Sequence, residues 1–419
     1  MSSFPDRKIS LNIFLFCQDE QPRVSRAPGS RAVTGAQLVS FICAVFLITG
    51  TTAKAAETSF QNKIVDEIDI SGTGYYGRLI LADDFNKDGK DEILYIRMSP
   101  KYMDYVWKPM ATRKNDKPYH QKGVKLSKSP DWFASFVPYT LKPDHSRGAY
   151  WNAKFNGEVG CIHPAQILPA HLNQDEYLDF VIPCHGYDAI PFPGEHSIVA
   201  LSDGPNKYNV SRFTKEPGFY HDGATADFNG DGHTDILLAD MAKAKKFRVF
   251  LNDGNGKFSK SDKYFPQFSK WHGAYNTVIL DVNEDGHFDV LAFGHEESNW
   301  KPFRSIILLG NAQNKFSTKN KLTIPPVKGW GTVMDVFKEG TNLFVLRTSA
   351  NPRYRGAMIQ QVDIATMTTI KTLKNSEMPW YSRIFRKNSD NGRVKFGGLT
   401  NEQNELDFVL DKNQIRLAD

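Results

Sequence analysis

Three nine-residue segments carry oxygen-bearing side chains at every second position of a short turn. They are Asp84-Phe85-Asn86-Lys87-Asp88-Gly89-Lys90-Asp91-Glu92, Asp227-Phe228-Asn229-Gly230-Asp231-Gly232-His233-Thr234-Asp235 and Asp281-Val282-Asn283-Glu284-Asp285-Gly286-His287-Phe288-Asp289. In a tightly curled chain the side chains at positions one, three and five point inward, and glycine at position six permits the bend. The carbonyl at position seven adds a backbone oxygen, and the acid at position nine closes the shell. Such an all-oxygen set suits a hard divalent cation, above all Ca2+, which takes about six to eight oxygen ligands. The expected ligands are Asp84, Asn86, Asp88 and Glu92 with the Lys90 carbonyl, and Asp227, Asn229, Asp231 and Asp235 with that of His233. The third set is Asp281, Asn283, Asp285 and Asp289 with the His287 carbonyl. The helix–loop–helix calcium site requires glutamate at position twelve, where this chain has Tyr95, Leu238 and Ala292, so that reading is excluded. The competing reading is a set of Asx-turns with solvated acids and no metal. A fourth, worn copy, His171-Leu172-Asn173-Gln174-Asp175-Glu176-Tyr177-Leu178-Asp179, has histidine at position one and glutamate in place of the glycine.

The loops need strands to hold them. Apolar runs precede and follow each one, such as Val278-Ile279-Leu280 and Val290-Leu291-Ala292-Phe293 around the third, so each loop connects two buried strands. The copies starting at 171, 227 and 281 are 56 and 54 residues apart, and a further 54 lands on Asp335, before Leu343-Phe344-Val345-Leu346. A last copy is read at Leu399-Thr400-Asn401, followed by Asp407-Phe408-Val409-Leu410. Period and strand content predict an all-β fold, a β-propeller of four-stranded blades. In one full period the strands are expected at Ala274–Leu280, Phe288–Phe293, Ser305–Leu309 and near Lys321–Ile324. Residues 97–160 hold a degraded blade, around Trp132–Leu141, or a long insertion in the first blade; seven blades are favoured over six. Only three strands fit at the C-terminus, Arg393–Gly398, Asp407–Leu410 and Gln414–Leu417, so Lys63–Ile70 is expected to close the ring by pairing with them.

Residues 1–55 read as an export leader: basic residues, then the apolar run Leu38–Ile48, then the small-x-small site Ala53-Lys54-Ala55. That leader carries +3 of the formal net charge of +5, leaving +2 on residues 56–419, a balance that does not call for nucleic acid. The remainder is expected to be one propeller domain without a membrane span, secreted or periplasmic. Two of the four cysteines lie in the leader, so Cys161 and Cys184 are left to form a disulfide or to stay as two buried thiols.

The loops and their spacing resemble the FG-GAP/VCBS repeats of integrin-α-type propellers and their bacterial relatives. The resemblance covers most of residues 57–419. The stretch Cys161-Ile162-His163-Pro164 through Cys184-His185-Gly186-Tyr187-Asp188 and Pro191-Phe192-Pro193-Gly194-Glu195 resembles a group of bacterial VCBS-repeat proteins of unestablished function. The resemblance implies calcium in the loops and a propeller used for adhesion or ligand recognition.

Because the acidic loops join strand one to strand two, the other connections lie on the opposite face. There the sequence places His163, His185, Asp188, His221, Trp271, His272, His295 and Trp330, a set able to stack on a sugar or bind a second metal. Interblade packing is the plainer reading of the same residues. Three functions are compatible with the chain: a recognition or adhesion module for glycan or protein, a carbohydrate-active lyase or hydrolase using acids and histidines of this face, or a periplasmic assembly factor without a small-molecule site. No nucleophile elbow, P-loop, dinucleotide fingerprint or H-E-x-x-H occurs, which lowers the enzyme reading.

Overall fold

The structure, a computed structural model, describes residues 80–90, 92–97, 135–141, 147–150, 153–157, 163–186, 194–241, 247–268, 274–297, 303–349, 354–377, 380–390, 393–400, 408–411 and 414–417. Every regular element among them is a strand. β1 (Ile80–Asp83), β2 (Glu92–Arg97), β3 (Ser135–Leu141) and β4 (Arg147–Tyr150) form the first sheet. β5 (Lys154–Gly157) runs parallel to the outer edge of the second sheet, which contains β6 (Leu168–Ala170), β7 (Asp179–Ile182), β8 (Ile198–Ser202) and β9 (Lys207–Arg212). The third holds β10 (Tyr220–Ala226), β11 (Asp235–Asp240), β12 (Phe247–Asn252) and β13 (Phe258–Ser261). The fourth holds β14 (Ala274–Leu280), β15 (Asp289–Gly294), β16 (Ile306–Leu308) and β17 (Lys321–Thr323). β18 (Thr332–Glu339), β19 (Asn342–Ser349), β20 (Arg355–Asp363) and β21 (Thr368–Asn375) make the fifth. β22 (Tyr381–Asp390), β23 (Arg393–Thr400), β24 (Phe408–Asp411) and β25 (Gln414–Leu417) make the sixth.

Each of these sheets is built on an antiparallel meander, and the burial pattern explains its sequence. The second strands β7, β11 and β15 are buried at every residue, so they read as continuous apolar runs. β21, at an outer edge, alternates Thr, Ile, Lys and Leu and is mostly exposed; its lysines discourage pairing with another chain. Aromatic and aliphatic side chains fill the space between successive sheets: Phe228, Leu237 and Val249 of the third pack with Phe288, Val290 and Ile306 of the fourth. First strands pack on one another in sequence, β6 on β10, β10 on β14, β14 on β18 and β18 on β22, the arrangement of propeller blades around an axis. Polar ties reinforce it: Thr277 N–H donates to Asp222 Oδ2 (2.8 Å), and Asn276 Nδ2 donates to the Met334 carbonyl (3.1 Å).

The full-period blade falls where the sequence puts it. Other expectations are corrected. The segment around Trp132–Leu141 is no blade of its own: residues 135–141 are the third strand of the first sheet, with Ile93 opposite Tyr139 and Leu94 opposite Pro138. β2 and β3 are thus neighbours in one sheet, and the described residues form six sheets. The last sheet has four strands of its own, because Tyr381–Asp390 supplies the first; Lys63–Ile70 and the leader lie outside the described residues. Leu399 sits near the end of a second strand, not at a strand-one loop, and Phe408–Leu410 belongs to the third strand.

Asp335 is also out of register with the loops. The first strands of the third, fourth and fifth sheets share an irregularity after the first or second residue: between Tyr220 and Asp222, Ala274 and Asn276, and Val333 and Asp335. Asp335 therefore corresponds to Asp222 and Asn276, inside the strand. It repeats the local bond of Asp222, accepting the N–H of the next residue at 2.9 Å. The hairpin itself is the tight turn at Gly340-Thr341, which has no room for an acidic loop.

Candidate functional site

The three acidic loops share one hydrogen-bond scaffold. The position-one carboxylate accepts the N–H groups of positions five and six: Asp84 from Asp88 (3.0 Å) and Gly89 (2.9 Å), Asp227 from Asp231 (3.2 Å) and Gly232 (2.8 Å), Asp281 from Asp285 (3.2 Å) and Gly286 (2.9 Å). The amide oxygen at position three accepts the N–H of position five, and the carboxylate at five accepts that of Lys90, His233 or His287 at 2.9 Å. Two left-handed residues make the curl possible. Position four has φ of 59° to 75° (Lys87, Gly230, Glu284), and the position-six glycines have φ of 84° to 86°.

Position nine does more than the sequence suggests. Glu92, Asp235 and Asp289 are buried, and one oxygen of each accepts the N–H of position two at 2.9 to 3.0 Å. The other oxygen of Asp235 accepts Asn252 N–H (2.8 Å), and that of Asp289 accepts Gly310 N–H (2.7 Å), tying the loop to the third strand and its end. Burial, and then repulsion from the acids at positions one and five, push Glu92 up to about 7 and Asp235 and Asp289 to about 6, against the backbone bonds that lower them. The donor set is all oxygen, and an ionised carboxylate has about four acceptor sites, so each retains lone pairs for a cation. It fits a hard divalent ion by chemistry. Among the described residues no three His, Cys, Asp or Glu side chains are already gathered on one point, so an entering ion must draw them inward.

The worn copy closes differently. Neither Gln174 nor Glu176 takes a left-handed conformation. The His171 ring nitrogen lies 3.2 Å from the Tyr177 carbonyl, the position-seven oxygen that a cation would use. Glu176 instead turns to Lys87 of the first loop (3.2 Å). Asp179 keeps the tethering role, accepting from Leu172 (2.6 Å) and Ser202 (2.7 Å).

On the opposite face a row of rings crosses successive sheets. His163 and His185 lie with ring centroids 3.6 Å apart, His185 and His221 5.2 Å, His221 and Tyr275 4.7 Å, Tyr275 and His295 4.8 Å. Tyr354 stacks beyond His295 at 5.6 Å, with its hydroxyl 2.8 Å from Nε2, and Trp380 lies next at 5.3 Å. His221 and Tyr275 occupy the irregular position of their first strands, where the added twist aims a side chain off the sheet. Isolated bridges between Pro164 and Cys184 and between His295 and Thr332 fix the connections that carry the row.

The sequence profile of the FG-GAP-like repeat matches residues 227–292, which run from the second acidic loop through the third and into β15. The chain carries an FG-GAP-like repeat. Curated proteins offer no match by sequence. Among solved structures, BBS1N in complex with ARL6DN is similar with a TM-score of 0.43 and 7% identity, over 83% of this chain and 84% of that one. The SapL1 lectin in complex with alpha methyl fucoside has a TM-score of 0.39 and 8% identity over 83% and 97%. The Dos1 propeller has a TM-score of 0.37 and 11% identity over 67% and 63%.

The FG-GAP-like repeat holds two of the three intact loops, and the ring row runs along the face away from them. Of the residues expected there, His163, His185, His221 and His295 belong to the row. Trp330 stands apart: its carbonyl accepts Arg347 Nη1 (3.3 Å) and its ring abuts Gly356. Asp188, Trp271, His272 and Cys161 lie outside the described residues. Tyr275, Tyr354 and Trp380 join the row without a place in the sequence-based set. The repeat arithmetic points to Tyr275, which lies 54 residues after His221, the same step as from Asp227 to Asp281.

Two predictions arise from this geometry. In the FG-GAP-like repeat, a methyl group at Gly286 would meet no atom within 4 Å, but the φ of 84° is unfavourable for alanine. Gly286→Ala is therefore expected to cost about 1–2 kcal/mol, read from urea unfolding, through backbone conformation alone. Burial lowers the pKa of His163 to about 3, of His185 well below the ordinary range, and of His295 to about 4; neighbouring imidazoles add to the first two. Their folded pKa values are depressed, so the stability they contribute is full above about pH 6.5, where the unfolded chain starts to bind protons, and falls as pH drops. Imidazole proton NMR should show these three of the eleven histidines flat between about pH 8 and 5, whereas midpoints near 6.5 would contradict the burial.

Proposed function

We propose that this chain is an exported calcium-binding β-propeller acting as a recognition or adhesion module, with calcium bracing the loops and a glycan or protein ligand on the opposite face. The observation that carries it is the identical scaffold of the loops at Asp84, Asp227 and Asp281, each with three carboxylates and an amide wrapped around one turn. Calcium there links strand one to strand two and, through position nine, to strand three, so its role is cement for the blade. The open end of the ring row supports ligand binding: Tyr354 is exposed and His295 and Trp380 beside it are half-buried, rings with apolar faces and polar edges of the kind a sugar ring needs. A ring of six blades and an export leader complete the reading. Cys184, engaged in a disulfide, pairs in this reading with Cys161, in keeping with an oxidising compartment.

Glycan-array binding tests it. Binding that disappears in Tyr354→Ala and His185→Ala, with unfolding unchanged, supports the recognition site; binding that survives both variants places the ligand elsewhere. The catalytic alternative, a carbohydrate-active lyase or hydrolase, would draw its proton acceptor from the histidines of the row. Turnover of a bound polysaccharide, lost in His185→Ala, would replace the first reading.

A further inference from the structure

Between the second and third sheets lies a cleft of about 300 Å3, at the small end of ligand sites and sized for one ring. Its floor is aromatic. Phe213 packs edge-on against Phe250 (5.2 Å) and against Phe258 (5.1 Å), and Phe213 and Phe258 are only half-buried. Three cations and one acid line the cleft: Lys215, Arg248 and Lys260 against Glu216. No residue of the ring row lines it, so a ligand held here is independent of one held by that row.

Arg248 is the built element. It is buried, and Asp240, also buried, holds its Nη2 at 3.2 Å. Its Nη1 meets Glu216 only at 3.8 Å, and Glu216 is 75% exposed; the buried Tyr220 side chain, which also lines the cleft, adds a hydrogen bond to the guanidinium. Arg248 Nε has no acceptor among the described residues. Lys260 sees Asp262 at 3.8 Å in a largely solvated pair, which is weak. With Asp240 offsetting Arg248, the lining holds two lysines and one displaceable carboxylate, Glu216, while Asp262 stands beside Lys260 outside the lining.

We propose that this cleft binds one anionic sugar ring, uronate or sulfated, with an apolar ring face on Phe213 and Phe258. Its charged group takes the place of Glu216 at the Nη1 edge of Arg248, between Lys215 and Lys260. Charge-assisted hydrogen bonds to arginine are directional and strong, while a neutral sugar would leave the cations unused.

The test is calorimetric titration of the full chain with trigalacturonate, with a sulfated carrageenan oligosaccharide and with neutral maltotriose. At least one anionic probe should bind and maltotriose should not; which anionic probe binds tells carboxylate from sulfate. Lys215→Ala with Lys260→Ala should weaken binding about tenfold or more, the value of one charge-assisted bond. Glu216→Gln should tighten it, because it removes the competing carboxylate, a gain that a merely structural role would not produce. Phe258→Ala should weaken it without changing its salt dependence. Equal binding of maltotriose, no heat with either anionic probe, or unchanged affinity in the lysine double variant overturns the proposal. The lysines are exposed, so their replacement leaves folding intact, which a melting curve checks.

Discussion

Replacing Arg347 by methionine is expected to destabilise the protein by about 3–5 kcal/mol, among the largest effects of any single substitution. Arg347 and Glu296 are both fully buried and meet at 2.7 Å. The guanidinium also donates to Gln360 Oε1 (2.6 Å) and the Pro325 carbonyl (2.9 Å), and Glu296 accepts Ser305 N–H (3.1 Å). The pair joins the end of the fourth sheet's second strand to the fifth sheet. Removing one partner strands the other charge in a medium that cannot solvate it, and that desolvation is the source of the cost. Burial lowers the pKa of Arg347 while Glu296 raises it again, the same balance seen from the proton's side. The urea midpoint should fall sharply in Arg347→Met and recover substantially when Glu296→Leu is added, since the buried charge is then gone. A double variant as unstable as the single would mean that the loss comes from packing, not from charge.

The second large effect is that of calcium. An ion that binds only the folded chain adds about 2.7 kcal/mol per site at a hundredfold excess over Kd. The three intact loops are distributed over the first, third and fourth sheets, so a chelator should lower the melting temperature of the whole unit. Without the ion, the raised pKa values of Glu92, Asp235 and Asp289 make ionisation unfavourable. Stability from these acids is therefore present below about pH 4 and lost as pH rises through about 6 to 7. Calcium should reverse that trend, because it favours the ionised form. Asp227→Ala should abolish one site and leave the others, visible as a smaller calcium-dependent rise in melting temperature. An identical melt with calcium and with chelator would argue for Asx-turns held by hydrogen bonds alone.

Much of the fold is legible wherever an acidic loop marks the hairpin. Between Asp281 and Ile324, strand positions read from apolar runs agree with the structure to within a residue or so, since strands buried on both faces leave uninterrupted apolar segments. Legibility fails where the loop is lost. In the fifth sheet the period lands on Asp335, an acid at the irregular position of a strand, because a tight hairpin replaces the loop and shifts the count. In the sixth, Tyr381–Asp390 mixes charged, polar and aromatic residues and shows no strand pattern, so a terminal clasp is expected in its place. The site divides the same way. Acids spaced along one loop are visible in a linear sequence. The role of position nine as a tether between strands, the alignment of histidines from three sheets, and the cleft around Arg248 all depend on residues far apart in the chain.

The most direct measurement is a count of bound calcium on the folded chain by native mass spectrometry, for the native sequence and for Asp84→Ala, Asp227→Ala and Asp281→Ala. Three ions are predicted for the native chain, one fewer in each variant, and no change when Asn173→Ala alters the loop whose carbonyl His171 already occupies. A chain that holds none at millimolar calcium, or loses none on these substitutions, would contradict the account.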